Sequence, residues 1–154
     1  MRKQIVGAPT DPAKYDEPWI NLECIACVRL TSEDPAFPIE AALSNDGSGR
    51  GWKAAGAGEQ SIWLEFDLPR HIERIHICFE AEETRTQEFV LSCTLEGGVE
   101  RELLRQQFNF SPTTPQEVEN YQVNLSAVTE LKVTITPDIS GGDARASMRT
   151  LAVQ

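Results

Sequence analysis

The sequence is poor in cysteine and in cationic residues. Its 154 residues include 4 cysteines, and 14 lysines and arginines stand against 24 aspartates and glutamates, so the formal net charge is −10 at pH 7. Four cysteines are too few for a disulfide-stapled scaffold of this length, and they do not fix the redox compartment. An acidic chain disfavours nucleic acid as a partner, because counterion release requires clustered cations.

Long apolar runs are also missing. No stretch approaches the length of about 20 residues that a membrane-spanning helix needs, so we expect no membrane span. Residues 1–7 have a basic start with no apolar segment behind it, so no signal peptide is visible, which slightly favours a cytoplasmic location. The sequence leaves the oligomeric state open.

The length and the overall composition are those of one folded domain. A chain of 154 residues, 40% of them apolar and 25% charged, matches the usual size and composition of a single globular unit. Residues 1–18 carry Pro9, Pro12 and Pro18 and show little periodicity. We therefore predict an N-terminal arm over residues 1–18 and a single domain over residues 19–154.

What dominates the sequence is alternation of apolar and polar residues. The alternation runs through residues 20–30, 75–79, 89–95, 121–125 and 131–135, and more weakly through 61–66 and 146–153. Because side chains of a strand point to opposite faces in turn, each run predicts a strand with one buried face. Residues 67–70 are predicted to end a strand, and adjacent Gly97 and Gly98 predict a tight hairpin. Residues 38–43 alone look helical, for about one turn.

This pattern determines the expected fold class. Some eight short strands with almost no helix predict an all-β, antiparallel β-sandwich, jelly roll or barrel. A parallel α/β sheet is excluded because the crossover helices are missing. Trp52 and Trp63 are predicted to cap the two ends of the sandwich core, since each large aromatic buries about 150–250 Å².

Residues 42–52 (Ala-Leu-Ser-Asn-Asp-Gly-Ser-Gly-Arg-Gly-Trp) resemble the A-x-D-G-…-T-x-W loop of the discoidin, or coagulation factor V/VIII type C, family. Residues 62–68 then resemble its W-[IL]-x-[IV]-D-L strand, and residues 71–77, 86–98 and 146–151 resemble later strands in the same order. That family shares the galactose-binding-like jelly roll with the family 32 carbohydrate-binding modules. The resemblance therefore implies a galactose-binding-domain-like jelly roll.

The resemblance also implies a ligand site on loops at one end of the sandwich. In the sugar-binding modules, this end holds glycans through polar side chains and an aromatic platform. By position in the pattern, this chain offers six candidate ligand-binding residues, which are Phe37, Arg50, Lys53, Arg85, Asp143 and Arg145. Polar donors beside an apolar ring suit a sugar, although this chain has few aromatic residues for a platform.

A structural calcium ion is a second implication of the resemblance. In the family, the Asp-Gly loop often holds calcium together with a glutamate of the last strand. Asp46 and Ser48 match the loop ligands, but Thr150 stands where the glutamate would be. Because calcium gains affinity from carboxylate charge, the missing acid argues against a bound ion. The sequence leaves calcium open and suggests no other cofactor.

Three further patterns could mark a catalytic or metal site, but each has a simpler structural interpretation. Cys24 and Cys27 lie three positions apart in a predicted strand and point to opposite faces, so they suit neither a zinc site nor a redox pair. His71 and His76 belong to no catalytic or metal-binding motif. The acidic stretch 80–88 could supply one carboxylate of a glycosidase pair, but a solvated loop explains it more simply.

Two functions remain after these exclusions. The sequence predicts a noncatalytic module that binds carbohydrate through the loops at one end of the sandwich, and it predicts no enzyme. The alternative is an intracellular protein–protein interaction or assembly domain with the same fold, since one superfold hosts many partners.

Overall fold

The computed structural model describes residues 19–22, 26–44 and 49–154. The elements whose bounds lie fully within this part are the strands β1 (Ala26–Leu30), β2 (Trp52–Ala57), β3 (Gln60–Glu80), β4 (Arg85–Leu95), β5 (Glu100–Phe110), β6 (Gln116–Thr136), β7 (Arg145–Met148) and β8 (Thr150–Val153), and the short helix α1 (Glu40–Leu43). Every pair of these named strands is antiparallel. The predicted all-β antiparallel class is confirmed, and α1 falls inside the predicted helical turn.

The strands form one large sheet and one small sheet. The large sheet has the order β1-β3-β6-β4-β5, with β8 also paired to β3, and β2 pairs with β7. The hairpin between β4 and β5 turns at Gly97, which has a positive φ of 71°, and Gly98 donates to the carbonyl of Leu95 at 2.9 Å. A left-handed backbone is what a glycine tolerates in a tight turn, so the predicted hairpin is confirmed.

The two longest strands, β3 and β6, run side by side through both layers of the fold. Their register shifts between Glu65 and Arg74, and Ala127 in β6 has a positive φ of 57°. Before the shift, β3 pairs with β1; after it, β3 pairs with β8. The irregular segment therefore divides the β3–β6 ribbon into two halves that belong to different layers.

The inner faces of the two layers share one hydrophobic core. Alternate residues of both halves of β3 are buried, among them Ile62, Leu64, Ile75 and Ile77 at no more than 1% exposure. They belong to one cluster with the apolar residues of the other strands, including Phe89, Leu91, Leu131, Val133, Ile135 and Leu151. Each such side chain stabilises the fold by roughly 1.5–3 kcal/mol. The predicted sandwich is confirmed.

One predicted strand end is wrong. Residues 67–70 do not end a strand, because β3 continues through them from Gln60 to Glu80. Asp67, Leu68 and Pro69 are exposed, and Arg70 pairs with Val128 after the shift in register. Proline lacks an N–H but is tolerated at a strand irregularity, so the chain bends here instead of turning back. For the same reason the predicted strands 121–125 and 131–135 are parts of one strand, β6.

The two tryptophans occupy different environments. Trp52 is 1% exposed, and its Nε1 donates to the carbonyl of Ser32 at 3.1 Å, so its predicted place in the core is confirmed. The prediction for Trp63 was wrong. Because Ile62 and Leu64 point inward, Trp63 points outward, where its ring lies 5.2 Å from the Arg29 guanidinium and 5.4 Å from the Lys132 ammonium.

Two strands have no counterpart among the predicted runs. Strand β5 is mostly exposed, so its alternation is weak, and β2 lies in a stretch rich in glycine and alanine. Within the described residues, no helix is long and apolar enough to cross a membrane. Residues 1–18 lie outside the described part, so the predicted arm and the single domain over 19–154 stay predictions.

Candidate functional site

A cleft lies where three segments of the chain meet at one end of the sandwich. Glu88 of β4 pairs with Thr136 of β6, so the loop before β4 and the loop after β6 come together beside β2. The cleft has a volume of about 360 Å³ and is lined by Lys53, Glu83, Thr84, Arg85, Asp138, Gly141, Gly142, Asp143, Ala144 and Arg145. Four of the six predicted ligand-binding residues are among them.

The loop between β6 and β7 (residues 137–144) is held against its neighbours by the backbone. Ile139 donates to the carbonyl of Thr86 at 2.9 Å, and Gly58 donates to that of Ala144 at 3.2 Å. Inside the loop, the carboxylate of Asp138 accepts from the amide of Ser140 at 3.0 Å, which is the local bonding that favours aspartate in turns. The wall of the cleft therefore has a defined shape.

Arg85 is the buried cation of the cleft, with a side chain only 4% exposed. Its Nε donates to the carboxylate of Glu83 at 3.0 Å, its Nη1 donates to the carbonyl of Pro137 at 2.5 Å, and the guanidinium lies 5.1 Å from the ring centroid of Phe110. Among the residues described, none accepts a hydrogen bond from its Nη2. The cleft thus contains a fixed guanidinium with one nitrogen left for a ligand.

Asp34 links the two other cations of the cleft. Its carboxylate accepts from Nη1 of Arg145 at 3.4 Å, and its amide donates to the carbonyl of Lys53 at 2.8 Å. Nη1 of Arg145 also reaches the carbonyl of Ala54 at 3.3 Å. The ammonium of Lys53 lies 5.9 Å from the ring centroid of Phe37. Phe37 is therefore next to the cleft without lining it.

The charges of the cleft are balanced. Lys53, Arg85 and Arg145 face three acids, Glu83, Asp138 and Asp143, although the whole chain carries a net charge of −10. Guanidinium and ammonium groups only donate hydrogen bonds, and carboxylates accept them. Such a mixture suits a ligand rich in hydroxyl groups, because each hydroxyl both donates and accepts.

The remaining predicted site residues are not brought into the cleft. Arg50 is exposed and lies outside the lining. Asp46 and Ser48 fall outside the described residues. Thr150 lies in β8, opposite Cys78, and its hydroxyl supplies no negative charge at the position of the family's glutamate. Calcium therefore stays a prediction, with an incomplete set of charged ligands.

Glu83 and Asp138 are residues of the cleft that the sequence pattern does not reveal. Glu83 lies in the acidic stretch 80–88, for which a solvated loop is the simpler interpretation, and no motif marks Asp138. The one signal that points to Asp138 is its placement with Asp143 in a single loop that also contains two glycines. Sequence spacing alone cannot show that this loop meets the start of β4.

Below the cleft, the inner face of the sandwich becomes polar. Gln87 and Glu117 are 0% and 1% exposed, and the amide nitrogen of Gln87 donates to Oε1 of Glu117 at 3.5 Å. Oε2 of Glu117 and the hydroxyl of Tyr121 are buried without a hydrogen-bond partner. Burial, together with the neighbouring carboxyl of Glu119, raises the pKa of Glu117 to about 8. We call Gln87, Glu117, Glu119 and Tyr121 the buried polar cluster.

Burial is also the main influence on Tyr121. It raises the pKa of the phenol to about 12, with smaller contributions from the charges of Glu119 and Glu117. A buried polar group without a partner is costly. Both shifts favour the neutral forms of Glu117 and Tyr121.

The other sequence motifs do not form a chemical site. Cys27 is an exposed free thiol, and Cys24 falls outside the described residues. His71 contacts Ser126 and Glu73, whereas His76 lies 2.8 Å from the side-chain oxygen of Asn120. Among the described residues, no group of three or more histidine, cysteine, aspartate or glutamate side chains could hold a metal ion.

Comparison with solved structures identifies the fold. The chain is similar to the family 32 carbohydrate-binding module of NanJ from C. perfringens in complex with galactose, with a TM-score of 0.66 and 18% identity over 88% of this chain and 96% of that one. It is also similar to the family 32 module of AlyQ in complex with 4,5-unsaturated mannuronic acid, with a TM-score of 0.61 and 18% identity over 84% and 95% of the two chains.

The chain is also similar to a pectin-binding carbohydrate-binding module, with a TM-score of 0.62 and 19% identity over 84% of this chain and 90% of that one. No protein-family profile matches the sequence, and no characterised protein sequence matches it. At these identities the likeness establishes the fold. The galactose-binding-like jelly roll implied by the sequence is confirmed, and it is the fold of the family 32 carbohydrate-binding modules.

Proposed function

We propose that this protein is a noncatalytic carbohydrate-binding module and that the cleft beside β2, β4 and β7 is its glycan site. The observation that carries the proposal is that Lys53, Arg85, Asp143 and Arg145, which are far apart in sequence, line one cleft at one end of the sandwich. The fold supports it, because solved modules of the same fold hold sugars. Function still depends on the site and not on the fold.

The chemistry of the cleft supports binding without catalysis. Arg85 presents Nη2, Arg145 presents a partly exposed guanidinium, and Asp143 presents an exposed carboxylate. Donors and an acceptor around one cleft can hold the hydroxyls of a sugar ring. Phe37 beside Lys53 supplies an apolar surface at the rim.

The alternative, a protein-interaction domain, has less support in the structure. A docking surface for a protein usually includes a contiguous apolar patch. The large apolar residues that are exposed in the described part of the chain lie on four different segments, and they are Leu68, Val99, Val118 and Ile139. This scatter does not favour a protein partner over a glycan.

A glycan panel tests the proposal directly. The full-length protein is screened against neutral and acidic oligosaccharides, and each binder is measured by isothermal titration calorimetry. Arg145→Ala and Asp143→Ala should each lower the affinity about tenfold, the effect of losing one good polar contact. Glu59→Ala, an exposed acid outside the cleft, is the control. A negative panel with a correctly folded protein would refute the glycan site.

A further inference from the structure

Arg85 is held from inside the sandwich as well as from the cleft. Besides its contacts to Glu83 and Pro137, its Nη1 lies 3.5 Å from the side-chain oxygen of Gln87. The amide nitrogen of Gln87 lies 3.5 Å from Oε1 of Glu117. Gln87 therefore stands between the guanidinium of the cleft and a buried carboxyl group, and it orients its amide with the oxygen toward one and the nitrogen toward the other.

The strength of the contact between Gln87 and Glu117 depends on the protonation of Glu117, because a carboxylate is a stronger acceptor than a carboxylic acid. Gln87 offers its nitrogen to Oε1 of Glu117, so Oε1 acts as the acceptor of this contact. The titratable groups that interact with Glu117 are Glu119 and Tyr121 on its own strand and Cys78 on β3. Arg85 reaches Glu117 only through Gln87. The facing residue of β3 is Phe79, which carries no charge.

We propose that Gln87 and Glu117 are positioning residues for ligand binding, which fix the guanidinium of Arg85 at the cleft through a buried chain of hydrogen bonds. The inference rests on the proposed glycan site for its functional consequence, but the positioning of Arg85 can be measured without any ligand. Neither residue lines the cleft, so neither would be found by inspecting the site alone.

The burial of the chain is what gives it this effect. Gln87 is fully buried, and Arg85 is almost so, so water cannot replace a lost contact. A buried donor or acceptor left without its partner is costly, and the side chain that carries it rearranges. When Glu117 loses its proton, the resulting carboxylate becomes a stronger acceptor for the amide of Gln87, which shifts Gln87 toward Glu117 and weakens its contact with Arg85.

The first experiment follows the Nε–H signal of Arg85 by NMR in the free protein, with the signal assigned from Arg85→Lys. In Gln87→Met, the exchange of this proton with water should rise about tenfold, corresponding to roughly 1.4 kcal/mol of lost protection. Glu117→Gln keeps an acceptor oxygen for Gln87 and should leave the signal in place, whereas Glu117→Leu should behave like Gln87→Met. Cys93→Ala, a change at a buried residue of the hydrophobic core on the same strand, is the control.

The wild-type protein supplies a second measurement if a variant does not fold. The Arg85 signal should move as Glu117 titrates, and the affinity for a glycan found in the panel should fall in the same pH interval, while Glu117→Gln shows neither change. An Arg85 signal that is indifferent to Gln87→Met, or in the wild type to the titration of Glu117, overturns the inference. A signal that responds in a protein that binds no glycan refutes the glycan site and leaves the positioning of Arg85 standing.

Discussion

Arg145 and Asp34, which are 111 positions apart in the chain, meet at 3.4 Å on the edge of the cleft. Oδ1 of the same aspartate accepts from the amide of Ala36 at 2.9 Å. One oxygen of the Asp34 carboxylate thus stabilises its own loop, and the other holds the guanidinium of Arg145 in position.

This double contact gives a prediction for Asp34. Asp34→Asn keeps an oxygen for the amide of Ala36 but removes the charge that faces Arg145, so the affinity for glycan should fall about threefold, as expected for a partly exposed ion pair. Asp34→Ala should lower it further, because the loop also loses its turn contact. Calorimetry on the two variants, with Glu59→Ala as control, checks the order. Equal affinity in all three would contradict a role for Asp34.

Stability should depend on pH through Glu117. Its pKa is raised to about 8 in the folded protein from an ordinary value of 4.5, so between these values the folded state holds a proton that the unfolded state has lost. The contribution of Glu117 is therefore fully present below pH 4.5 and is lost as the pH rises toward 8, at up to about 1.4 kcal/mol per pH unit.

Urea unfolding at several pH values tests this sign. As the pH rises from about 5.5 to about 8.5, the free energy of unfolding of the wild type should fall relative to that of Glu117→Gln. The reason is that the amide of the variant has no proton to lose. Lys132→Gln, a change on the outer face of the same strand, controls for general effects on β6. Parallel pH profiles for the wild type and Glu117→Gln would show that Glu117 is not a buried neutral acid.

The glycines around Trp52 separate two kinds of strain. A Cβ on Gly51 would lie 2.5 Å from the carbonyl oxygen of Met148, at a φ of 80°, whereas a Cβ on Gly58, at a φ of 88°, meets no atom within 4 Å. Gly58→Ala should cost about 1 kcal/mol from backbone strain, and Gly51→Ala clearly more, because the contact with β7 must also open. Gly56→Ala, with neither feature, should be close to neutral in thermal melting. The reverse ranking of Gly51 and Gly58 would contradict the packing of this loop on β7.

The two tryptophans should respond very differently to truncation. Trp52→Ala removes a fully buried indole and should cost about 3–5 kcal/mol. Trp63→Ala removes a ring on the outer face that contacts Arg29 and Lys132, and should cost about 1–2 kcal/mol, since exposed cation–π contacts are weak. Chemical denaturation of both variants measures the difference. A larger loss for Trp63 would place it in the core after all.

Calcium can be tested by melting the protein with and without a chelator. An ion that binds the native state alone raises the midpoint. Because Thr150 lacks the charge of a glutamate, we expect a shift of no more than a few degrees at millimolar calcium, and Asp46→Ala should remove whatever shift there is. A large chelator-sensitive shift that survives Asp46→Ala would place the ion elsewhere.

The alternation of apolar and polar residues predicted most of the strands, because a strand with one buried face requires an apolar residue at every second position. In β4, buried residues alternate with more exposed ones, and the apolar residues Phe89, Leu91 and Cys93 lie on the buried face. Strand β5 has much of both faces in contact with water. Its sequence therefore has no regular alternation of apolar and polar residues by which the strand could be predicted. The break at residues 67–70 misled the prediction, because proline and an exposed bulge give the same local signal as a turn.

The cleft was predictable only in part. The resemblance to the family predicted four residues of the cleft, because it indicates which loops lie at the ligand-binding end. These residues are Lys53, Arg85, Asp143 and Arg145. Glu83 and Asp138 are there because the register of β4 against β6 brings their loops together, and register is a long-range property. The burial of Gln87 and Glu117 is likewise invisible to a window of neighbouring residues, since polar residues at inward positions resemble ordinary surface residues.

The shared ribbon of β3 and β6 has a mechanical consequence. Because each of these strands belongs to both layers, the layers cannot be peeled apart without severing the ladder between them. We therefore expect the amide protons on either side of the kink near Ala127 to exchange in one concerted opening, so that the molecule yields as a single cooperative unit and not layer by layer.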